Sequence, residues 1–547
     1  MSRLASGQHS LRRVRQLGRS VAALVLLSGL GDVTADQSNV REGYFSAPDL
    51  PALRAHATTD ISSLAPGFYQ TSEYMIGRVA VGVILPESTG GIDPNLNDWS
   101  AEQRNNVLNE VAAGLNWWTA QSPEANLSFV IDDHATIPVS TGYEPITRPQ
   151  FEEGLWIGEV MAELGYRDGS YWTRVRAYAN DLRTIHHADW AFAIFVVNSA
   201  HDADGAFADR YFAYAYIGGP FFVITYDNAG YAIDHMDAVA AHEAGHIFHA
   251  LDKYPSANVA CTARAGYLGI ETQNSQQNGC ASNVPSIMRG GIYPYLVNAI
   301  DVYARRQIGW SDLDNDRLYD PIDTQPSLTV DTASPAPGGW IYLGVAVDQP
   351  TPSPFRLPAT INDVTVEYSL DGGAWQPATP VDGAFDSPSE EFALMIDLTA
   401  SGNHRLALRA RNRVGNISNT SRYYIIIPDP IDGGLDTWLE QPPAQLMRGG
   451  DTPTLRGTAS SFAPDGTLGP AIRQVEYRID GGMWQPAAPA DNAFDSVEED
   501  FTIAIDVGAG QHALEVRSID AIGKVEQNAA GANIRVAYVE FIPIAMR

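Results

Sequence analysis

His242 and His246 stand four residues apart in the stretch His242-Glu-Ala-Gly-His-Ile-Phe-His-Ala-Leu-Asp-Lys-Tyr254. On a helix that spacing projects both imidazoles from one face, where they can share one zinc ion. Glu243, beside the first of them, can reach a water on the same ion and take its proton. The upstream run Asp237-Ala-Val-Ala-Ala-His-Glu-Ala offers a capping-type Asp followed by strong helix formers, after the turn-like Asp227-Asn-Ala-Gly230. One helix face supplies two ligands, so a third must come from where the chain turns back.

Asp252 lies six residues after His246. The stretch resembles the metzincin-type metallopeptidases with an Asp third ligand, notably the immune inhibitor A group, whose motif reads HExxHxxGLPDEY, and the snapalysin type, which shares HExxHxxGxxD. Downstream, Ser286-Ile-Met-Arg-Gly-Gly291 resembles the Met-turn, with Met288 beneath the metal site. Asp301-Val-Tyr-Ala-Arg-Arg-Gln-Ile-Gly-Trp310 resembles the helix ending in Leu-Gly-Trp that closes the catalytic domain of the first group. The resemblance implies a zincin-like domain with His242, His246 and Asp252 as ligands of one Zn2+, Glu243 as catalytic base, and protein or peptide as substrate. Two positions depart from it. His249 stands where the group has Gly; it shares a helical face with His242 and His246 and competes for the third coordination position. Three ligands along one helix surround an ion poorly, so Asp252 is favoured, with His249 the alternative. Lys253 replaces an acidic residue and is expected to alter surface charge only.

Residues 1–35 read as a secretory signal peptide: Arg3, Arg12, Arg13, Arg15 and Arg19 precede the apolar run Val21–Leu27, and Val33-Thr-Ala35 suits signal peptidase. The run is too short to span a bilayer, and no later segment qualifies. The 547-residue chain carries a formal net charge of -30. That surface argues against nucleic acid and anionic membrane as partners and suits a secreted, extracellular protein. Cys261 and Cys280 are the only cysteines. In an exported chain they are expected to form one disulfide, closing the loop between the zinc helix and the Met-turn. Residues 36–70 are polar and irregular and read as a linker or a short pro-segment.

The region 71–318 is mixed α/β. Strands are expected over 75–85, 127–131, 191–197, 211–217 and 221–226, with helices over 100–121, near 148–165 and over 171–184. Ser100-Ala-Glu-Gln103 has the spacing of a capping box. In the zincin layout an edge strand above the metal pairs with extended substrate, and 211–217 is the candidate. His186, His187 and His201 lie in polar turns and read as solvated. Asp202-Ala-Asp-Gly-Ala-Phe-Ala-Asp209 has carboxylate spacing reminiscent of a calcium loop without the final Glu of an EF-hand, which keeps Ca2+ as a second candidate ion.

A Pro-rich boundary follows Trp310, and beyond it the chain repeats itself. Val366-Glu-Tyr-Ser-Leu-Asp-Gly-Gly-Ala-Trp-Gln-Pro377 recurs as Val475-Glu-Tyr-Arg-Ile-Asp-Gly-Gly-Met-Trp-Gln-Pro486, and Gly402-Asn-His404 parallels Gly510-Gln-His512. Short alternating strands with Asp-Gly-Gly turns suit a β-sandwich, and the modules resemble bacterial immunoglobulin-like or fibronectin-like domains. The expectation is a multidomain chain: an α/β (α+β) domain over 71–318, then all-β immunoglobulin-like sandwich repeats over 319–430 and 431–547. A chain ending near Asp320 is expected to fold alone. Two functions fit: a secreted zinc metalloendopeptidase, or an extracellular adhesion or binding protein with a weak or inactive zincin domain. In either, the repeats can carry a cell-surface or matrix ligand.

Overall fold

Burial alternates along the strands of the first domain, and that alternation fixes its layers. The computed structural model describes residues 40–48, 64–336, 339–397, 402–427, 434–440, 446–448, 452–462 and 468–538. The expected leader, 1–35, lies outside them, as do 36–39 and 49–63 of the following region. The elements of this domain are β1 (Arg41–Ser46), β2 (Arg78–Ser88), α1 (Ala101–Thr119), β3 (Ser128–Thr141), α2 (Glu153–Glu163), α3 (Tyr171–Ile185), β4 (Trp190–Val197), β5 (Tyr211–Ile217), β6 (Phe221–Thr225) and α4 (Met236–Ile247). The strands form one sheet in the order β1-β5-β6-β4-β2-β3. Only the β5/β6 pair runs antiparallel.

On one face Val79, Val81, Val83 and Leu85 of β2 join Phe192, Ile194 and Val196 of β4 against α1 and α4. Ala80, Ile84, Ala193, Phe195 and Val197 point the other way, toward α2 and α3. Strands covered on both faces read as continuous apolar runs, which is why β4 was legible without alternation. Helix α1 begins with the expected capping box, Ser100 and Gln103 exchanging side-chain and backbone bonds.

Two expectations are corrected here. Segment 41–46, within the stretch read as irregular, is a strand, and it pairs in parallel with β5 in the register Glu42↔Ala213 and Tyr44↔Ala215. Consequently β5, the candidate free edge, is flanked on both sides. Six half-polar residues, Arg-Glu-Gly-Tyr-Phe-Ser, carry no strand signal of their own; the partner strand supplies it.

Beyond the boundary, the strands 327–336, 339–347, 379–380 and 389–396 make one sheet and 364–370, 376–377, 402–412 and 421–427 make another. Both contribute to one core, with Tyr342, Phe392 and Ile396 facing Val366, Leu406 and Leu408. A second pair of sheets, between Leu435 and Tyr538, encloses Leu455, Val475, Phe501, Leu514 and Val536 in the same manner. These are two tandem β-sandwiches. The repeated residues have matching roles: Asp371 and Asp480, each at positive φ in its turn, receive hydrogen bonds from backbone Arg405 and Ala513 and pair with His404 and His512. Trp375 and Trp484 are half-buried under Arg409 and Arg517, 3.9 and 4.0 Å from the ring centres, so they pack on their own sheets.

The first sandwich is bound to the α/β domain through 351–361. Arg356 spans both oxygens of the buried Glu73 at 2.7 and 2.8 Å, the Tyr267 hydroxyl donates to the Thr351 carbonyl, and Ile361 enters the α/β core. A chain ending at Asp320 is therefore expected to lose stability rather than fold alone. Leaving Glu73 buried without its guanidinium costs about 3–5 kcal/mol by itself, a large part of a typical stability of about 5–15 kcal/mol. Thermal unfolding of the shortened and full chains checks this, and equal melting temperatures would refute it.

Candidate metal centre

Helix α4 is Ala-rich and buried from Ala238 to Ile247, so it runs through the core rather than along a surface. Its cap is His235; Asp237 sits in the first turn instead, where a carboxylate still favours the helix dipole. Trp118 of α1 donates its indole N–H to the Ala241 carbonyl at 2.8 Å and fixes the helix from one side. From another side Met288 closes in: a Cβ on Gly245 would lie 2.6 Å from its sulfur. The turn Ile287–Arg289 thus underlies the helix where the Met-turn resemblance places it.

His242, His246 and Asp252 converge. His242 Nε2, His246 Nε2 and Asp252 Oδ1 form a triangle with sides of 3.1 Å. The opposite ring nitrogens are committed: His242 Nδ1 lies 2.9 Å from the Ile287 carbonyl and His246 Nδ1 2.7 Å from the Ala250 carbonyl. A carbonyl only accepts, so each Nδ1 carries the proton, and in the neutral ring each Nε2 presents a lone pair. Two lone pairs and a carboxylate oxygen facing one another in a buried space require a positive centre among them. Tetrahedral zinc with bonds of about 2.0–2.1 Å separates its ligand atoms by about 3.4 Å, close to the spacing found. The residues fit the ion.

The electrostatics match. Burial opposes charge on His242, but Asp252, Glu42 and Glu243 outweigh it and hold the imidazolium up to about 10. Burial likewise opposes the Asp252 carboxylate, and the two imidazoles overcome it, holding its pKa well below the usual range. Glu243 is buried, and neither carboxylate oxygen has a hydrogen-bond partner among the described residues. Burial drives its pKa well above that of an ordinary carboxyl.

His249 does not join the triangle. It adopts φ +73°, the left-handed conformation for which Gly is the ordinary choice, and turns its ring under the Gly218 turn. Its Nε2 lies 3.7 Å from Glu73, in the group held by Arg356. Lys253 corrects the surface-charge expectation: it is fully buried, with Nζ 2.8 Å from both oxygens of Asp301. Asp301 also caps the helix Val302–Gln307. Burial lowers the lysine to about 8 while Asp301 holds it up. This pair ties the strand end after Asp252 to the closing helix, so Lys253→Met is expected to destabilise the chain by about 3 kcal/mol. Chemical denaturation measures this; a change below about 1 kcal/mol would show the pair to be replaceable.

Three further residues at the site had no signal in the sequence. The Tyr254 hydroxyl lies 3.0 Å from Asp252 Oδ2 and 3.0 Å from the Glu42 carbonyl, donating to one at a time. The Tyr44 ring stands 5.0 Å from that of His246. Burial, together with Asp252, raises the Glu42 carboxyl against the opposing effect of His242. Only the long-range pairing of β1 brings Tyr44 and Glu42 here.

Other sequence candidates lie apart. Cys261 and Cys280 are bonded, with Cα atoms 5.2 Å apart, and closing that loop is worth about 3 kcal/mol. His187 and His201 are exposed and His186 is half-buried. Asp202 and Asp204 spend their carboxylates on their own loop, accepting from Asp204, Gly205 and Ala206 N–H groups. A second acidic cluster, Asp312, Asp314 and Asp316, lies at the boundary, half-buried to exposed, where Asp312 and Asp316 likewise accept backbone N–H groups. No helix of the described residues is long and apolar enough to cross a membrane.

No family model and no curated protein matches the chain. Among solved structures it is similar to the fibronectin(III)-like modules of Clostridium thermocellum CbhA, at 16% identity and TM-score 0.14, covering 39% of this chain and 95% of that one. It is similar to the chicken CNTN1 FN1-FN3 domains at 12% identity and TM-score 0.13, covering 39% and 67%. It is also similar to the D00-D0 domain of intimin at 14% identity and TM-score 0.16, covering 39% and 99%. The two sandwiches stand on their own strand pairing.

Proposed function

We propose that the chain is a zinc-dependent endopeptidase acting outside the cell, with an active centre of the Asp-ligand metzincin type in a zincin-like domain. The carrying observation is the triangle of His242, His246 and Asp252, whose imidazoles are oriented by backbone carbonyls so that their lone pairs face inward. These three residues would hold the ion. A bound zinc makes a coordinated water acidic and polarises a scissile carbonyl. Glu243 accepts the proton of the attacking water on a carboxylate oxygen and returns it to the leaving amine nitrogen. Its burial keeps that carboxylate basic, and Tyr254 steadies Asp252 through Oδ2. The disulfide suits an oxidising compartment.

A second reading is an extracellular binding or adhesion protein whose first domain is catalytically silent. The tandem sandwiches favour it, since they are modules that present surfaces rather than reactive groups. One experiment separates the two: metal analysis of the purified chain followed by digestion of a mixed peptide library. One zinc per chain with cleavage supports the peptidase; bound zinc without cleavage under any condition, including release of segment 41–46, supports the binding protein.

A further inference from the structure

Strand β1 lies where an extended peptide would have to lie. The α4-facing edge of the sheet at β5 is the nearest ladder to the metal triangle, and β1 fills its backbone hydrogen-bonding positions over Arg41–Ser46. Side chains alternate along a strand, so Glu42 and Tyr44 share one face and Phe45 takes the other. The first pair faces the centre: Tyr44 is 5.0 Å from His246, and Glu42 lies so close to the turn after Met288 that a Cβ on Gly290 would fall 2.5 Å from its Oε1. Phe45 anchors the strand on the far face, 5.6–6.0 Å from the rings of Tyr211, Tyr214 and Tyr216. The Glu42 carbonyl is occupied by the Tyr254 hydroxyl, which also serves Asp252.

We propose that segment 41–46 is a built-in inhibitor of the metal centre, an internal peptide that occupies the substrate edge and must leave β5 before an extended polypeptide can bind. The inference rests on the peptidase reading and adds the regulation of that site. It also names the ligand chemistry: an extended backbone that pairs with β5 and places a large side chain over His246, as Tyr44 does.

Phe45 is the handle for a test, because it holds the strand without facing the metal triangle. The full chain is compared with its Phe45→Asp variant, each also carrying Glu243→Gln so that a fluorescent casein-derived peptide can be bound without being cut. Hydrogen exchange at Ala213 and Ala215 reports whether β1 has left, and zinc content reports the integrity of the centre. The expected result is faster exchange at both amides, unchanged zinc and at least tenfold tighter peptide binding, with a matching rise in cleavage when Glu243 is intact. A synthetic peptide of residues 40–48 added in excess should reverse both gains. Phe45→Ser gives a milder loss of the anchor should the Asp variant fail to fold. Faster exchange with unchanged peptide binding, in a chain that does cleave, overturns the inference and leaves the peptidase intact. No peptide binding and no cleavage from either chain, with zinc bound and the strand released, sinks the peptidase reading and the inference together.

Discussion

Replacing Glu243 by Gln is expected to leave zinc bound and to slow peptide hydrolysis by about 10²–10⁴-fold. The amide has the shape of the carboxylate but cannot accept the proton of the attacking water. Glu243 is buried between α4 and the metal triangle with neither oxygen partnered among the described residues, so no structural hydrogen bond is lost with it. Because burial raises its pKa, the buried carboxylate carries a stability penalty that the neutral amide does not. The variant should therefore melt at the same temperature as the parent or slightly above it. Zinc content, melting temperature and cleavage rate, measured on one preparation, separate the outcomes. Cleavage within a few-fold of the parent would refute the assignment of the base.

The second large effect concerns the ligand set. Asp252→Ala is expected to weaken zinc retention by more than the ~10–100-fold that follows loss of a partner behind a ligand, and to abolish cleavage. It removes a donor atom itself, Oδ1 at 3.1 Å from both imidazole nitrogens, and leaves two histidines on one helix to hold the ion alone. His249→Ala should keep zinc, because its ring sits by Glu73 under the Gly218 turn. Its cost is one of stability, about 1–2 kcal/mol for holding Ala in the left-handed region. His249→Gly removes that strain and serves as its control. Competition with a chromogenic chelator reads the zinc affinity of all three variants. Zinc lost with His249 and retained with Asp252 would reverse the ligand assignment.

Some of this site was legible because the relevant physics is local. His242 and His246 meet through helical period alone, and Glu243 follows from its place beside them. The capping box at Ser100, the apolar run of β4 and the duplicated Asp-Gly-Gly turns are each written in a few adjacent residues. Two cysteines in one chain had only one pairing to make, and they made it.

Tertiary structure decided the rest. No pattern in Arg-Glu-Gly-Tyr-Phe-Ser distinguishes a strand from a linker; pairing with β5, far along the chain, made it one and carried Glu42 and Tyr44 to the metal centre. Lys253 looked like a surface change because charged side chains are seldom fully buried, and only the packing of 302–307 beside it provides Asp301 as partner. The Pro-rich boundary pointed to separable domains, yet Arg356 reaches back to Glu73 because a buried carboxylate needs its charge answered wherever the chain can supply the answer. His249 shares a helical face with the two ligands on paper. The left-handed turn at the helix end rotates it off that face, and φ is set by how the following residues pack, not by the histidine itself. The sequence determined which groups could hold an ion; the fold decided which of them meet, and what lies across them.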